Sequence, residues 1–178
     1  MWSERLLLAL GLGALIVPAW AQAPHYSLGR TPSPADIAAW NTDVRADGMG
    51  LPPGHGSVAQ GRDVFAQRCA ACHGDKGQGG PADRLVGGFG TLSDRTPIKT
   101  VGNYWPYATT LFDFVRRAMP FSAPGTLSDD EIYAVSAYIL ALNGVIRDNT
   151  ILGPANLPGI MMPNRNGFLS DDPRPDVR

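Results

Sequence analysis

Cys69-Ala70-Ala71-Cys72-His73 sets two thiols three residues apart, with an imidazole directly behind the second, and the chain holds no other cysteine. C-x-x-C-H in this order is the attachment motif for c-type haem. Two thiols at that spacing near a helix end can each form a thioether to the vinyl groups on neighbouring haem edges. His73 then lies beneath the iron, close enough to donate an imidazole nitrogen. A redox dithiol would require a βαβ setting, and the pattern of this chain offers helices only. A zinc site needs four protein ligands, and His73 is the only residue added to the two thiols at suitable spacing. A plain local disulfide leaves the histidine and the glycine-rich stretch behind it without a purpose. One covalently attached haem c, held by Cys69 and Cys72 with His73 on the iron, is the reading that uses all three residues.

The other face of the iron decides the function. A neutral thioether there favours the ferrous state and raises the potential, which suits electron transfer; an open position suits ligand binding, as in a haem sensor or enzyme. The candidate sulfurs are Met49, Met119, Met161 and Met162. Met119 stands 46 residues after His73, at the end of an expected helix and before Pro120, where the chain must turn. Met162, in Met161-Met162-Pro163-Asn164, competes for the role. His25 and His55 lie among prolines and glycines and read as solvated loop histidines. Arg84, Tyr104 and Trp105 are candidates to bond haem propionates.

Several elements must position these groups. Ser57 can cap a helix running to about Ala71, with Val58, Gly61, Val64 and Phe65 recurring at intervals of three or four. Residues 74–108 are rich in glycine and lack periodicity, so a long loop with one helical turn is expected. Thr109 or Thr110 is expected to cap a short helix in which Leu111, Phe114, Val115 and Ala118 share a face. Ser128-Asp129-Asp130-Glu131 is a capping box, followed by Ile132, Val135, Ile139 and Leu142 on one face and Gly144 as the stop. Upstream, Ser33-Pro34-Ala35-Asp36 opens a short helix to about Trp40.

Composition narrows the class. The 178 residues include 21 Gly and 16 Pro, which predicts long loops about a compact core. Fifteen Lys and Arg against sixteen Asp and Glu give a net charge of -1, without the basic surplus that nucleic-acid binding demands. The apolar run Leu6–Val17 is too short to span a bilayer, and Ala19-x-Ala21 follows it. Residues 1–21 therefore read as a signal peptide, which makes the mature chain an exported, periplasmic protein with no membrane attachment after cleavage. The expected organisation is this signal, an N-terminal arm over 22–56, a haem domain over 57–144 and an extended C-terminal arm over 145–178. The arms exceed what a haem core needs and suit wrapping over another protein; packing on their own domain is the plainer alternative.

C-x-x-C-H, Gly61-x-x-x-Phe65, Met119-Pro120 and the capped final helix resemble the class I cytochrome c fold, an all-α architecture here flanked by long irregular arms. The resemblance implies that the first and last helices cross closely at Gly61, with Tyr138 or Phe65 filling the crossing. A further resemblance rests on Arg45-Ala46-Asp47-Gly48, Gly50-Leu51-Pro52-Pro53-Gly54, residues 100–110 and Arg116-Arg117-Ala118-Met119-Pro120-Phe121. Residues 162–168 belong to it as well. Together they are similar to the cytochrome subunit of bacterial sulfur-oxidation dehydrogenases. It implies an electron relay whose partner, a separate molybdenum-cofactor subunit, oxidises sulfite or protein-bound sulfane sulfur, with a downstream cytochrome as acceptor. Catalysis would then belong to the partner chain. A free-standing soluble carrier is the alternative within the same chemistry.

Overall fold

The computed structural model describes residues 28–169. The signal segment expected over residues 1–21, His25 and the last nine residues lie outside the described part. Backbone contacts divide the chain into a unit ending at Ile37 and a larger one beginning at Ala38. Helix α1 (Pro34–Trp40), which runs across that boundary, opens on a local network. The Asp36 carboxylate accepts from the Ser33 backbone N–H (2.8 Å) and from both terminal nitrogens of Arg30 (2.6 and 3.0 Å). Arg30 foremost, then Ser33, holds the Asp36 carboxyl well below the usual carboxylate range. No residue of α1 is buried.

The larger unit is built on two capped helices. In α2 (Val58–Arg68), the Ser57 hydroxyl accepts from the Gln60 N–H while the Gln60 side chain accepts from the Ser57 N–H, a reciprocal box at the helix start. In α6 (Asp129–Leu142), Ser128 and Glu131 form the equivalent pair. Ile132 to Leu140 of α6 are all buried, so this helix is the axis of the core rather than a surface helix. α2 lies across it at Gly61, where a Cβ would fall on the Ala134 carbonyl and stand 2.8 Å from the Tyr138 Cβ. Only glycine permits that approach. Phe65 and Tyr138 fill the crossing edge to face, with ring centroids 5.3 Å apart.

The remaining elements close around this pair. α3 (Ala70–His73) continues from α2 through a break at Cys69, so the expected helix to Ala71 is two helices. The long loop carries one helical turn, α4 (Val101–Tyr104), and α5 (Ala108–Ala118) follows. The cap residue of α5 is Tyr107, without a side-chain bond, rather than either threonine. Thr109 is instead buried, and Phe114 stands 44% exposed while Leu111, Phe112 and Val115 face the core. Thr109 and Phe112 occupy the buried stripe that a four-residue face including Phe114 would have assigned elsewhere.

Residues from both flanks of the haem body enter the core. β1 (Gly56–Ser57) pairs antiparallel with β2 (Ile151–Leu152), joining Gly56 to Leu152 and Ser57 to Ile151. Val44 from the N-terminal side, with Leu152, Leu157 and Met162 from the C-terminal side, sits in the central apolar cluster. Polar ties reinforce the packing. The Val44 N–H donates to buried Asp113 (2.9 Å), which also holds Arg117, and the Tyr133 hydroxyl donates to the Pro52 carbonyl (2.8 Å). Apolar residues on both sides of 57–144 thus join its core. Among the described residues no helix is long and apolar enough to cross a membrane.

Candidate haem site

The two thiols and the imidazole sit where α2 gives way to α3. Cys69 ends α2, its N–H bonded to the Phe65 carbonyl at 2.9 Å, and Cys72 and His73 close the short α3. Both cysteines are free. Cys69 is partly sunk against the core, whereas Cys72 is exposed. Burial, with Cys72 adding to it, pushes the Cys69 thiol up to about 11.

His73 is oriented from behind. Its Nδ1 lies 2.6 Å from the Asp83 carbonyl oxygen. A carbonyl can only accept, so Nδ1 carries the proton and Nε2 is the nitrogen left to ligate. That is the tautomer a metal-ligating histidine requires, with the carbonyl raising the basicity of the ligating nitrogen. The loop supplying Asp83 is anchored on both sides. Ala82 N–H bonds the Cys72 carbonyl (3.0 Å), Gly79 N–H the His73 carbonyl (2.8 Å), and Leu85 N–H the Gly77 carbonyl (2.8 Å). Gly80 has a spatial reason to lack a side chain, since a Cβ would stand 2.8 Å from the Cys72 oxygen.

Met119 forms the C-terminal cap of α5, its N–H on the Val115 carbonyl at 3.1 Å, and its side chain is partly buried against the core. The other sulfurs are placed differently. Met162 is 2% exposed inside the central cluster, which is the setting of a packing residue. Met49 and Met161 are 62% and 71% exposed. Met119 is thus the methionine that is neither enclosed in the core nor out in solvent. Tyr104 and Trp105 are partly buried beside α4, while Arg84 is exposed and, with Lys99, lines a polar cleft next to Asp83. His55 is exposed, as a solvated loop histidine should be.

These residues fit a haem. Two free thiols at the attachment spacing, an imidazole with Nε2 available and a half-buried thioether form the required donor set. Leu85, Trp105 and Met119 are apolar side chains only partly covered, with Phe114 edge to face on Trp105 (centroids 5.7 Å). They offer apolar surface that a flat ring system would take. Among the described residues no three His, Cys, Asp or Glu side chains gather in the manner of a zinc site.

The sequence missed the groups that hold the loop. Asn143 at the end of α6 donates to the Leu85 carbonyl (3.1 Å), and Asn103 donates to the Ile98 carbonyl (2.7 Å) and to that of Gly88. The Thr100 hydroxyl donates to the Gly87 carbonyl (2.8 Å). Thr100-x-x-Asn103 had a visible signal, since it is a capping pair at the start of α4. Asn143, which stands just before the stopping Gly144, had none.

Comparison with known proteins gives this arrangement its relatives. Residues 56–139 match the family described as cytochrome c oxidase, cbb3-type, subunit III. The crystal structure of the sulfane dehydrogenase SoxCD from Paracoccus pantotrophus contains a chain 46% identical to this one. The two superpose with a TM-score of 0.78, over 83% of this chain and 73% of that one. The chain belongs to the Sox-type cytochrome c family. Haem c is the cofactor this membership implies, and a cytochrome c domain is an electron-transfer module. The Sox-type cytochrome is also 34% identical over 90 residues to a thiosulfate dehydrogenase of Stutzerimonas stutzeri (strain A1501), covering 49% of this chain and 28% of that protein. It is 32% identical over 111 residues to the cbb3-type cytochrome c oxidase subunit CcoP of Azospirillum sp. (strain B510), covering 52% and 33% respectively. The chain spans about a third or less of the length of these curated relatives.

Proposed function

We propose that this Sox-type cytochrome is an exported, one-haem electron relay. It takes single electrons from a separate molybdenum-cofactor subunit that oxidises sulfite or sulfane sulfur, and passes them to a downstream cytochrome. The observation that carries the reading is the extent of the likeness to SoxCD. Residues 57–144 are 88 of 178, about half the chain, so a match over 83% must include flanking segments as well as the haem-bearing body. A relay of unrelated use would have needed to share only the body.

In this reading Cys69 and Cys72 would hold one haem c covalently, and His73, through Nε2, and Met119 would ligate its iron. Once bound, haem c supplies one-electron exchange between ferric and ferrous iron. The chain's own residues then have distinct tasks. The Asp83 carbonyl fixes the His73 tautomer, the Pro120 turn presents the Met119 sulfur, and the α2–α6 crossing keeps the attachment segment from shifting. Residues 1–21 act as the removable export signal, with residues 22–56 and 145–178 as flanks of the 57–144 body.

The test is expression in a host competent for periplasmic haem attachment, followed by an optical and redox titration and by affinity capture with the molybdenum subunit. A low-spin haem resistant to acid–acetone extraction, with a molybdenum protein captured at fixed stoichiometry, is expected. A high-spin iron that binds carbon monoxide readily would mean an open sixth position. Haem-loaded protein with no affinity for the molybdenum subunit would leave a free-standing carrier.

A further inference from the structure

The buried amide of Asn143 lies 70 residues after His73 in sequence, yet it is bonded into the loop that orients the histidine. Its Nδ2 donates to the carbonyls of Leu85 (3.1 Å) and of Ile139 in its own helix (2.9 Å), and Gly87 N–H approaches its Oδ1 at 3.4 Å. Two acceptors face one end of the amide and one donor faces the other, which fixes the assignment of nitrogen and oxygen. Leu85 stands two residues beyond Asp83, whose carbonyl holds the His73 Nδ1 proton. On the other side of Asp83, Ala82 is tied to the Cys72 carbonyl. The Asp83 carbonyl therefore hangs between one anchor on the attachment segment and another on the end of α6. α4 makes room for this contact, because a Cβ at Gly102 would fall on the Asn143 side chain.

We propose that Asn143 is a positioning residue for the axial histidine: through Leu85 it holds the Asp83 carbonyl on the His73 Nδ1–H and so sets the reduction potential. The inference rests on the haem ligation proposed above. A firm Nδ1–H···O bond increases the electron donation of Nε2 and favours the ferric state. Loosening the loop weakens that bond and favours the ferrous state. The effect passes through geometry, so removing the amide changes the potential without touching any ligand.

The experiment compares haem-loaded wild type, Asn143→Leu and Gly102→Ala, the last displacing the same amide from α4. Leu157→Ala serves as the control for lost stability, since Leu157 is buried in the core and its backbone bonds to Gly153 and Ile160 rather than to the loop. Both loop variants are expected to raise the ferrous-to-ferric ratio at fixed potential at least threefold. The ferrous-state NMR signal of the His73 Nδ1 proton should move and exchange faster in both, with the Met119 ligation band retained. Leu157→Ala should lose stability with neither change. Unchanged ratio and unchanged Nδ1 signal in the variants overturn the positioning role, as does an equal shift in Leu157→Ala. If Asn143→Leu does not fold, Gly102→Ala alone decides between these outcomes. A wild type without low-spin haem would sink the ligation reading itself, a result separate from these.

Discussion

Replacing Gly61 by alanine sets two effects against each other, and the structure decides between them. Gly61 lies inside α2, where alanine is the better helix former by about 1 kcal/mol. Against this, the new Cβ would fall on the Ala134 carbonyl and lie 2.8 Å from the Tyr138 Cβ. Carbon atoms at their optimum stand about 3.5–4.0 Å apart, so the helices must separate by roughly 1 Å. A gap of that size forfeits about half the attraction of the contacts it opens. For one large side chain, about 40–60 contacts of about 0.1–0.2 kcal/mol each, the loss is about 2–6 kcal/mol. Phe65 and Tyr138, edge to face across the crossing, represent at least that much surface. The net expectation is destabilisation by about 1–5 kcal/mol after the helix-propensity gain, a range that spans overpacking in other cores. Urea denaturation followed by circular dichroism, with unchanged slope, measures it. Gly61→Ala within about 0.5 kcal/mol of wild type, or above it, would refute the claim that backbone contact at this crossing excludes a side chain.

Three further outcomes follow from particular contacts. Met119→Ala should abolish the far-red sulfur-to-iron band and lower the potential, whereas Met162→Ala should keep the band and cost about 2–5 kcal/mol of stability as a core truncation. Glu131 is held below the ordinary carboxylate range, first by the Ser128 backbone N–H and then by the Ser128 hydroxyl. A lowered folded-state value means this contribution is complete above the unfolded carboxylate range and is lost as pH falls through the folded value. Ser128→Ala should therefore move the Glu131 titration, followed by NMR, part of the way back up, and should cost about 1 kcal/mol. Burial, foremost, pushes the Tyr133 hydroxyl up to about 12, so no tyrosinate absorbance from it should develop at pH 10. Tyr133→Phe should lose about 1 kcal/mol with the bond to the Pro52 carbonyl.

Much of the helical frame was legible because its signals are local. Ser57 and Ser128 are written beside the acceptors and donors they satisfy, and Gly61 recurs in phase with Phe65. The motif Cys69-x-x-Cys72-His73 is likewise complete within five residues. What remained hidden depends on partners far along the chain. Nothing near Asn143 announces Leu85, and nothing in the Pro- and Gly-rich flanks shows that Leu152, Leu157 and Met162 are core residues. Irregular backbone has no period, so a buried leucine there looks like an exposed one. α5 was misread at its start and on one face for a related reason. Tyr107 starts it without a capping bond, and apolar Phe114 meets Trp105 on the outer side rather than the core.

The two-residue strand pair has a consequence in time. Joining Gly56 to Leu152 directly would close a loop of 96 residues, at an entropic cost of about 4 kcal/mol by the logarithmic law. So short a ladder, with hydrogen bonds contributing about 0.5–1.5 kcal/mol each, cannot offset that from an open chain. Once α2 crosses α6, however, Gly56 already rests on Ala134, and only 18 residues separate Ala134 from Leu152. The closure then costs about 2.6 kcal/mol, within reach of the burial of Leu152 and Leu157. The C-terminal strand is therefore expected to join after α2 has crossed α6, so that the helix pair carrying the attachment motif forms while that side of the core still stands open.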